Sequence, residues 1–173
     1  MNTFPNTKLI PLTQGYFAIV DEVDYDWLIE RKWYYGHKGY AVHRKYLGTI
    51  NGKLKLKAIY MHRLILNTPE EMFTDHINCN RLDNRRCNLR ICSRNQNMMN
   101  SIKKMDGCSP YKGVTLNCGK WSAGITINSK HISLGRFFTQ KEAAQAYDKA
   151  AIKYFGEFAR LNFPLEAYNT MEE

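Results

Sequence analysis

Hydrophobic and polar residues follow both strand and helix periods in the first hundred residues of the chain. The segment GYFAIVD (15–21) alternates as a strand does, whereas DYDWLIERK (24–32) has apolar residues at helical spacing. The aromatic-rich segment WYYGHKGYAVHRKYL (33–47) predicts a hairpin, because its two glycines bracket a turn. A further strand is predicted over LKLKAIYMHRLIL (54–66).

The last third of the chain has a simpler pattern of three short alternating segments and one long helical segment. Residues 111–117, 120–128 and 131–137 predict strands that are separated by turn residues. A helix is predicted from Gln140 to Phe155, because small and aromatic residues recur there at i, i+3 and i+4. These elements indicate a three-stranded antiparallel sheet backed by one helix.

The ends of this helix are marked by capping residues. Thr139 is the expected N-cap, Glu142 completes a capping box, and Gly156 is the expected stop. The side of the helix that faces the sheet is predicted to carry Ala143, Ala144, Tyr147, Ala150, Ala151 and Tyr154.

Composition separates the chain into two domains. The segment SIKKMDGCSP (101–110) is polar and basic and contains Gly and Pro, which is typical of a linker. We therefore expect a mixed α/β domain over residues 1–100, a linker at 101–110, a second domain at 111–164 and a tail at 165–173. The predicted fold class is α+β.

The charge balance favours an anionic partner. The chain has 25 Lys+Arg against 16 Asp+Glu, a net charge of +9, and nucleic acid is the first partner to consider. It has no run of about eighteen apolar residues and no apolar core at its N-terminus, so we expect a soluble, cytosolic protein without membrane contact. Its five cysteines include no Cys-x-x-Cys pair, which argues for reduced thiols over disulfides or a zinc ribbon.

Candidate chemistry is concentrated in the segment Asp75–Asn97, DHINCNRLDNRRCNLRICSRNQN. Asp75 and a side-chain amide such as that of Asn97 offer hard oxygen ligands for a divalent cation, and His76 is suited to activating water near neutral pH. Guanidinium groups beside such a site can hold a polyanion. The arginines of this segment are Arg81, Arg85, Arg86, Arg90 and Arg94.

The order Asp-His, Asn-Leu-Arg and then a second asparagine resembles the HNH endonucleases and their ββα-metal motif, here over about 58–100. The resemblance implies that His76 is the general base and that Asp75 and Asn97 are the metal ligands. It also implies a catalytic-site role for Asn88, which braces the loop that carries the base. The implied cofactor is one divalent ion, Mg²⁺ or Mn²⁺, with no small-molecule cofactor.

Two assignments in this segment stay open. Ser93 is a plausible N-cap for the short helix that carries Asn97, but Asn100 lies one turn further along the same face and is the alternative ligand. His62, in the preceding segment, is grouped with the DNA-contacting residues. It faces either the phosphate or the catalytic site, or it is a structural histidine at the end of a strand.

The second domain resembles the AP2 DNA-binding domain along nearly its whole length. The resemblance is carried by Tyr-Lys-Gly-Val, Gly-Lys-Trp, Leu-Gly-Arg-Phe, the alanine-rich helix and the closing Leu-Asn-Phe-Pro. It implies that the sheet lies in the major groove of duplex DNA. Trp121 either packs in the core of the domain or contacts a base. The candidate DNA-binding residues of this sheet and the linker are Lys103, Lys104, Lys112, Thr115, Asn117, Lys120, Trp121, Thr126, Lys130, His131, Ser133 and Arg136.

Together these resemblances imply a site-selective endonuclease that cuts double-stranded DNA and leaves 5′-phosphate and 3′-hydroxyl ends. A monomer that nicks is expected, with a dimer or double-strand cutting as the alternative. Such an arrangement is similar to that of phage or mobile-element endonucleases, which act in the host cytosol. The alternative interpretation is a DNA-binding regulator with an inactive HNH fold; an RNA-directed role is weaker, because the major groove of RNA helices is narrow.

Overall fold

The computed structural model describes residues 6–103 and 107–169 of the 173-residue chain. The described residues form helices and antiparallel sheets, which confirms the predicted α+β class. The chain divides into two compact units between Arg94 and Asn95. Each unit is built around apolar clusters of its own.

The first unit combines short strands with two short helices. In chain order its elements are β1 (Thr7–Pro11), β2 (Phe17–Asp21), α1 (Glu22–Ile29), β3 (Tyr34–Tyr35), β4 (Ala41–Ile50), β5 (Lys53–Tyr60), α2 (Met61–Ile65), β6 (Phe73–His76) and β7 (Leu89–Cys92). β1 pairs with β2, β3–β4–β5 form a sheet in that order, and β6 pairs with β7. All of these pairings are antiparallel.

Apolar residues from most of these elements meet in one core. Its buried members are Ile10, Leu12, Ala18, Val20, Leu28, Trp33, Ala41, Met61, Ile65 and Leu89. Leu89 is the first residue of β7, so the hairpin that carries the Asp-His pair is anchored directly on this core.

The predicted alternation at 15–21 corresponds to β2, and the predicted hairpin to β3 and β4, but two elements differ from expectation. β1 was not predicted. The strand predicted over 54–66 ends at Tyr60, where α2 begins. Met61 and Ile65 are spaced one helical turn apart and both are buried in the core, so a helix satisfies this apolar pair better than a continued strand.

Around and after the boundary the chain forms α3 (Arg94–Met99), β8 (Val114–Asn117), β9 (Lys120–Ile127), β10 (Lys130–Phe137), α4 (Gln140–Phe155) and α5 (Glu166–Asn169). The strands form an antiparallel sheet in the order β10–β9–β8, with a register shift between Ser133 and Gly135. Small alanines of α4 pack against this sheet, as the sequence predicts.

The ends of α4 match the sequence prediction closely. Thr139 accepts a hydrogen bond from the backbone N–H of Glu142, whose side chain accepts one from the backbone of Thr139, and Gly156 is the C-cap. The prediction is wrong for Tyr154, which is 46% exposed. The next residue, Phe155, is buried instead, because it lies one turn after the buried Ala151.

The second unit begins earlier than the predicted linker. Met99 of α3 packs against the core of the second unit. Lys112 Nζ donates to the carbonyl oxygens of Met99 at 2.5 Å and Ser101 at 2.8 Å. Lys103 Nζ likewise donates to backbone carbonyls of the same unit. Met99, Ser101 and Lys103 are therefore held in the second unit.

Gly113 should be far less replaceable than Gly119, although both have positive φ values of +75° and +72°. A Cβ on Gly113 would lie 1.9 Å from the Tyr147 ring, whereas a Cβ on Gly119 meets nothing within 4 Å. We expect Gly113→Ala to lower the free energy of unfolding by roughly 3 kcal/mol and Gly119→Ala by about 1 kcal/mol. Thermal and chemical unfolding of the full chain would measure both, and equal losses would contradict the described packing.

Candidate functional site

The hairpin β6–β7 holds the Asp-His pair at the point where a strand becomes a loop. In its register Asp75 lies opposite Arg90 and His76 opposite Leu89. Asp75 is 6% exposed and His76 is 5% exposed. Two polar side chains at the end of one short strand are thus withdrawn from solvent, which requires specific partners for each.

Arg90 balances the charge of Asp75 across the hairpin. Its Nε and Nη2 donate to Asp75 Oδ2 at 3.0 and 2.8 Å. Both side chains are largely buried, so the attraction is only weakly screened by solvent. The buried carboxylate of Asp75 therefore has a cationic partner within the same unit.

The ring of His76 lies in a polar and aromatic cluster. Its Nε2 is 3.4 Å from Asn84 Oδ1, and its ring centroid lies 5.0 Å from that of His62 and 5.9 Å from that of Tyr40. Burial lowers the pKa of His76 and outweighs the opposing effects of the Asn84 hydrogen bond and the Asp75 charge. The imidazole is accordingly neutral near pH 7, as a proton acceptor must be.

His62 is a buried member of this cluster and packs against His76. It is 6% exposed and contacts Tyr40 and Tyr60, with ring centroids 4.9 and 5.6 Å away. Burial, helped by the neighbouring His76, lowers the pKa of His62 to about 3. Its Nδ1 has no hydrogen-bond partner among the described residues. Of the placements that the sequence allowed, the structure shows His62 buried and facing His76.

Asn88 holds together the loop that joins β6 to β7. Its Oδ1 accepts a hydrogen bond from the backbone N–H of Asn78 at 2.9 Å, and its Nδ2 donates to the carbonyl oxygen of Asp83 at 2.8 Å. The side chain of Asn78 in turn donates to the Asp83 carboxylate. One buried amide therefore fixes the beginning and the middle of the loop that follows His76.

Several arginines of the segment bind carboxylates of the same unit. Arg85 pairs with Asp83 at 2.6 Å and Arg86 with Asp24 at 2.7 Å. Arg81 Nη1 donates to a backbone carbonyl, and its guanidinium lies 5.0 Å from the centroid of the Tyr40 ring. Arg94 is exposed at the start of α3. Arg85, Arg86 and Arg90 already have partners within the protein. DNA contact by the arginines of this segment therefore stays a prediction.

Tyr40 and Asn84 were not identified as site residues from the sequence. Tyr40 comes from the turn before β4, far from the motif, and nothing in the local pattern links it to His76. Asn84 lies within the motif and is fully buried. From the sequence alone, an asparagine in such a segment is first predicted to be a turn residue. The fold brings both to the imidazole.

The sheet of the second unit presents one polar face away from α4. Strand register places Thr115 beside Ser122, Thr126 beside His131, and Asn117 beside Lys120 on that face. Ser133 and Arg136 lie there as well, with Ser133 opposite Gly124. The face lines a cavity of about 490 Å³. Ser122 and Gly124 are residues of this face that the sequence analysis missed.

Other candidates from the second domain lie elsewhere. Trp121 is partly buried and packs against the core cluster between the sheet and α4, so the structure favours its packing role. Lys130 lies opposite Ile127, on the same side of the sheet as Trp121. Lys103 and Lys112 donate to backbone carbonyls, as described above, and Lys104 lies outside the described residues.

The donor groups predicted from the sequence, a carboxylate and an amide oxygen, suit a hard divalent ion better than a soft one. Asp75 provides a buried carboxylate, and Asn97 and Asn100 provide amide oxygens. Asn97 is half-buried within α3, whereas Asn100 is 3% exposed just after the helix. No group of three or more His, Cys, Asp or Glu residues suited to a metal occurs within residues 6–103 and 107–169. The predicted site is of another kind, with one carboxylate and one amide.

The structure holds a buried Asp-His pair on a strand hairpin, and the loop that follows the pair is braced by Asn88. A family model described as HNH endonuclease matches residues 67–99. The chain is also 31% identical over 152 residues to an uncharacterized HNH endonuclease of Acanthamoeba polyphaga mimivirus, covering 86% of this chain and 76% of that protein. The chain belongs to the HNH endonuclease family.

A further segment is similar to plant proteins. It is 48% identical over 66 residues to APETALA2-like protein 2 of Oryza sativa subsp. indica, and 46% identical over 67 residues to an AP2-like ethylene-responsive transcription factor of Arabidopsis thaliana. Each match covers 36% of this chain but only 15% and 12% of those proteins. Besides its membership of the HNH endonuclease family, the chain therefore contains a segment with AP2-like similarity.

Among the helices of the described residues, none has the length and apolar character needed to cross a membrane.

The low pKa of His62 predicts an acid-sensitive fold. Between about pH 6.5 and 3 the unfolded chain takes up a proton at this histidine and the folded chain does not, so stability falls as the pH falls through this window. At pH 5 the loss attributable to His62 is roughly 2 kcal/mol relative to neutral pH.

His62→Phe keeps an aromatic ring without the proton, and it should reduce the stability difference between pH 7.5 and pH 5 in chemical unfolding. His37→Phe, at an exposed histidine, is the matched control and should leave that difference as in the wild type. An unchanged difference in His62→Phe would show that His62 is not held neutral in the folded state.

Proposed function

We propose that this protein is a site-selective, metal-dependent endonuclease of double-stranded DNA. The observation that carries the proposal is the pairing of a charge-balanced, buried carboxylate, Asp75, with a neutral, buried imidazole, His76, at the end of β6. These groups supply, side by side, a cation ligand and a proton acceptor. The proposed metal-assisted hydrolysis of a phosphodiester uses both.

His76 is the residue that takes the proton from the attacking water. The amide oxygen of Asn84 accepts, so its contact favours the tautomer with the proton on Nε2 and the lone pair on Nδ1. Asn88 keeps the following loop in place, so the imidazole does not need to reorganise during the reaction. His62 and Tyr40 limit rotation of the ring and exclude water from its inner side.

The proposed metal ligands are Asp75 and Asn97. When bound, Mg²⁺ or Mn²⁺ would supply positive charge at the phosphate and at the departing 3′ oxygen. Attack by the water that His76 activates leaves a 5′-phosphate and a 3′-hydroxyl. One such site in each chain acts on one strand at a time, so nicking by a monomer is the proposed activity.

The AP2-like domain is proposed to position the cutting site by docking the polar face of its sheet in duplex DNA. That face carries hydroxyl, amide and imidazole groups with Lys120 and Arg136, and these can form hydrogen bonds with base edges as well as phosphates. The plant relatives are an APETALA2-like protein and an AP2-like ethylene-responsive transcription factor, and the proposal for this chain includes no particular target sequence.

One observation favours the alternative of a DNA-binding regulator with an inactive HNH fold. Arg90 places two donors on one oxygen of Asp75, so the proposed ligand already has a cationic partner. A metal must bind alongside this guanidinium. Tight binding to DNA without cleavage, in the presence of either metal ion, would support the regulator.

His76→Ala should reduce nicking of supercoiled plasmid at least about 100-fold, because the proton acceptor is lost. DNA affinity, measured in EDTA, should remain within about twofold, since His76 is buried in the free protein. His37→Ala, an exposed histidine of the same unit, is the control and should nick at the wild-type rate. Wild-type nicking by His76→Ala would remove the proposed base.

The two candidate amide ligands can be separated by mutation. Asn97→Ala should abolish metal-dependent nicking without loss of DNA binding, and raising the Mn²⁺ concentration should restore part of the rate if a ligand has been removed. Asn100→Ala should keep nicking, provided that thermal unfolding shows it to be folded, because Asn100 is buried. The reverse pattern would assign the ligand to Asn100.

A further inference from the structure

The hairpin β4–β5 extends well beyond the sheet in which it begins. β3 pairs with β4 only at Ala41 and Val42, and over the described residues the rest of β4 pairs with β5 alone. We refer to residues 44–58 as the ribbon. All of its residues are exposed except Gly48, which is half-buried. The turn at Asn51 and Gly52 has positive φ at both residues, which suits the twist of a two-residue hairpin.

One face of the ribbon carries a row of lysines. Lys45 lies directly opposite Lys57, and Lys53 and Lys55 alternate along β5 on the same face. Residues two apart on a strand are spaced by about 6.8 Å, so the row spans about 14 Å along β5. The ribbon contains Arg44 in addition and no Asp or Glu. Within the described part of the chain, the ribbon forms one ion pair, between Lys57 and the exposed Glu70 at 3.9 Å.

This row is unfavourable for an isolated protein, because like charges directly opposite each other on a sheet face repel. A polyanion on the face would turn that repulsion into attraction. The lysines also oppose pairing of β5 with the edge of a second copy, since charged side chains on edge strands block such pairing. The other face presents Tyr46, Leu54 and Leu56 to solvent, and a second copy is therefore the competing occupant to test.

We propose that the lysine face of the ribbon is a second DNA-binding element, which contacts the phosphate backbone of the duplex independently of base sequence. The major groove admits a two-stranded ribbon, and lysine is a flexible point charge that suits phosphate better than base edges. The ribbon would thus add affinity without changing site preference. This inference rests on the proposed action on double-stranded DNA.

The test compares two double variants of the full chain that remove the same charge. Lys53→Gln with Lys55→Gln alters the ribbon face, and Lys149→Gln with Lys153→Gln alters two exposed lysines of α4. Duplex binding would be measured in EDTA, so that cleavage plays no part, over a range of salt concentrations and on several unrelated DNA sequences. Thermal unfolding of all proteins checks that each variant is folded.

We expect the ribbon variant to bind about tenfold more weakly on every sequence, with the slope of log K against log salt reduced by about 1.8, as two lost phosphate contacts require. The α4 variant should keep the wild-type slope. Hydroxyl-radical footprinting should show protection lost at one group of phosphates in the ribbon variant alone.

Equal slopes and footprints in the two variants, with the wild type still binding DNA, would overturn the ribbon proposal and leave the proposed function intact. A loss confined to one preferred sequence would also overturn it, because it would indicate base reading. Failure of the wild type to bind duplex DNA would instead overturn the proposed function. A concentration-dependent dimer abolished by Leu54→Gln with Leu56→Gln, in sedimentation velocity, would assign the ribbon to a second copy.

Discussion

The pairing of Asp75 with Arg90 is the constraint on which the site depends. A carboxylate that is 6% exposed needs a charged partner close to it, and the β6–β7 register places Arg90 directly across the hairpin. That same register sets His76 opposite Leu89, which belongs to the main core. Because successive strand residues point to opposite faces, a slip of one residue would exchange the faces on which Asp75 and His76 lie. Stability of the core and placement of the candidate catalytic groups are consequently set by one pair of strands.

The imidazole of His76 shows how the rest of the first unit contributes to chemistry. His62 reaches it from α2, Tyr40 from the turn before β4, and Asn84 from the loop after β6. Burial by these groups keeps the ring neutral, although Asp75 beside it favours the protonated form. Together with the Asn88 hydrogen bonds to its loop, this environment fixes both the protonation state and the orientation of the ring, which are the properties that a general base requires.

The sequence predicted those features of the fold that depend on interactions between residues close together in the chain. The capping box at Thr139 and the stop at Gly156 depend on nearby backbone groups, and both are present. The packing of Trp121 could also be predicted, because strand alternation places it on the same face as the buried Ala123. Residue type alone does not distinguish packing from base contact at this position. The cluster around His76 had no such signal. Tyr40 reaches the imidazole through tertiary contacts that no spacing in the motif encodes. The assignment of Asp75 and Asn97 as ligands of one metal ion remains a prediction.

The division of basic residues between arginine and lysine follows from their chemistry. Arg85, Arg86 and Arg90 each bind a carboxylate within the first unit, where a planar guanidinium offers several donors in fixed directions. Exposed lysines, by contrast, line one face of the β4–β5 hairpin, where a mobile point charge is enough to hold a phosphate. The arginine-rich motif is therefore as much a structural feature as an electrostatic one. Because an arginine paired with a carboxylate contributes less to the field outside the protein, the proposed affinity for a polyanion would rest more heavily on lysines outside the motif than the sequence of the motif suggests.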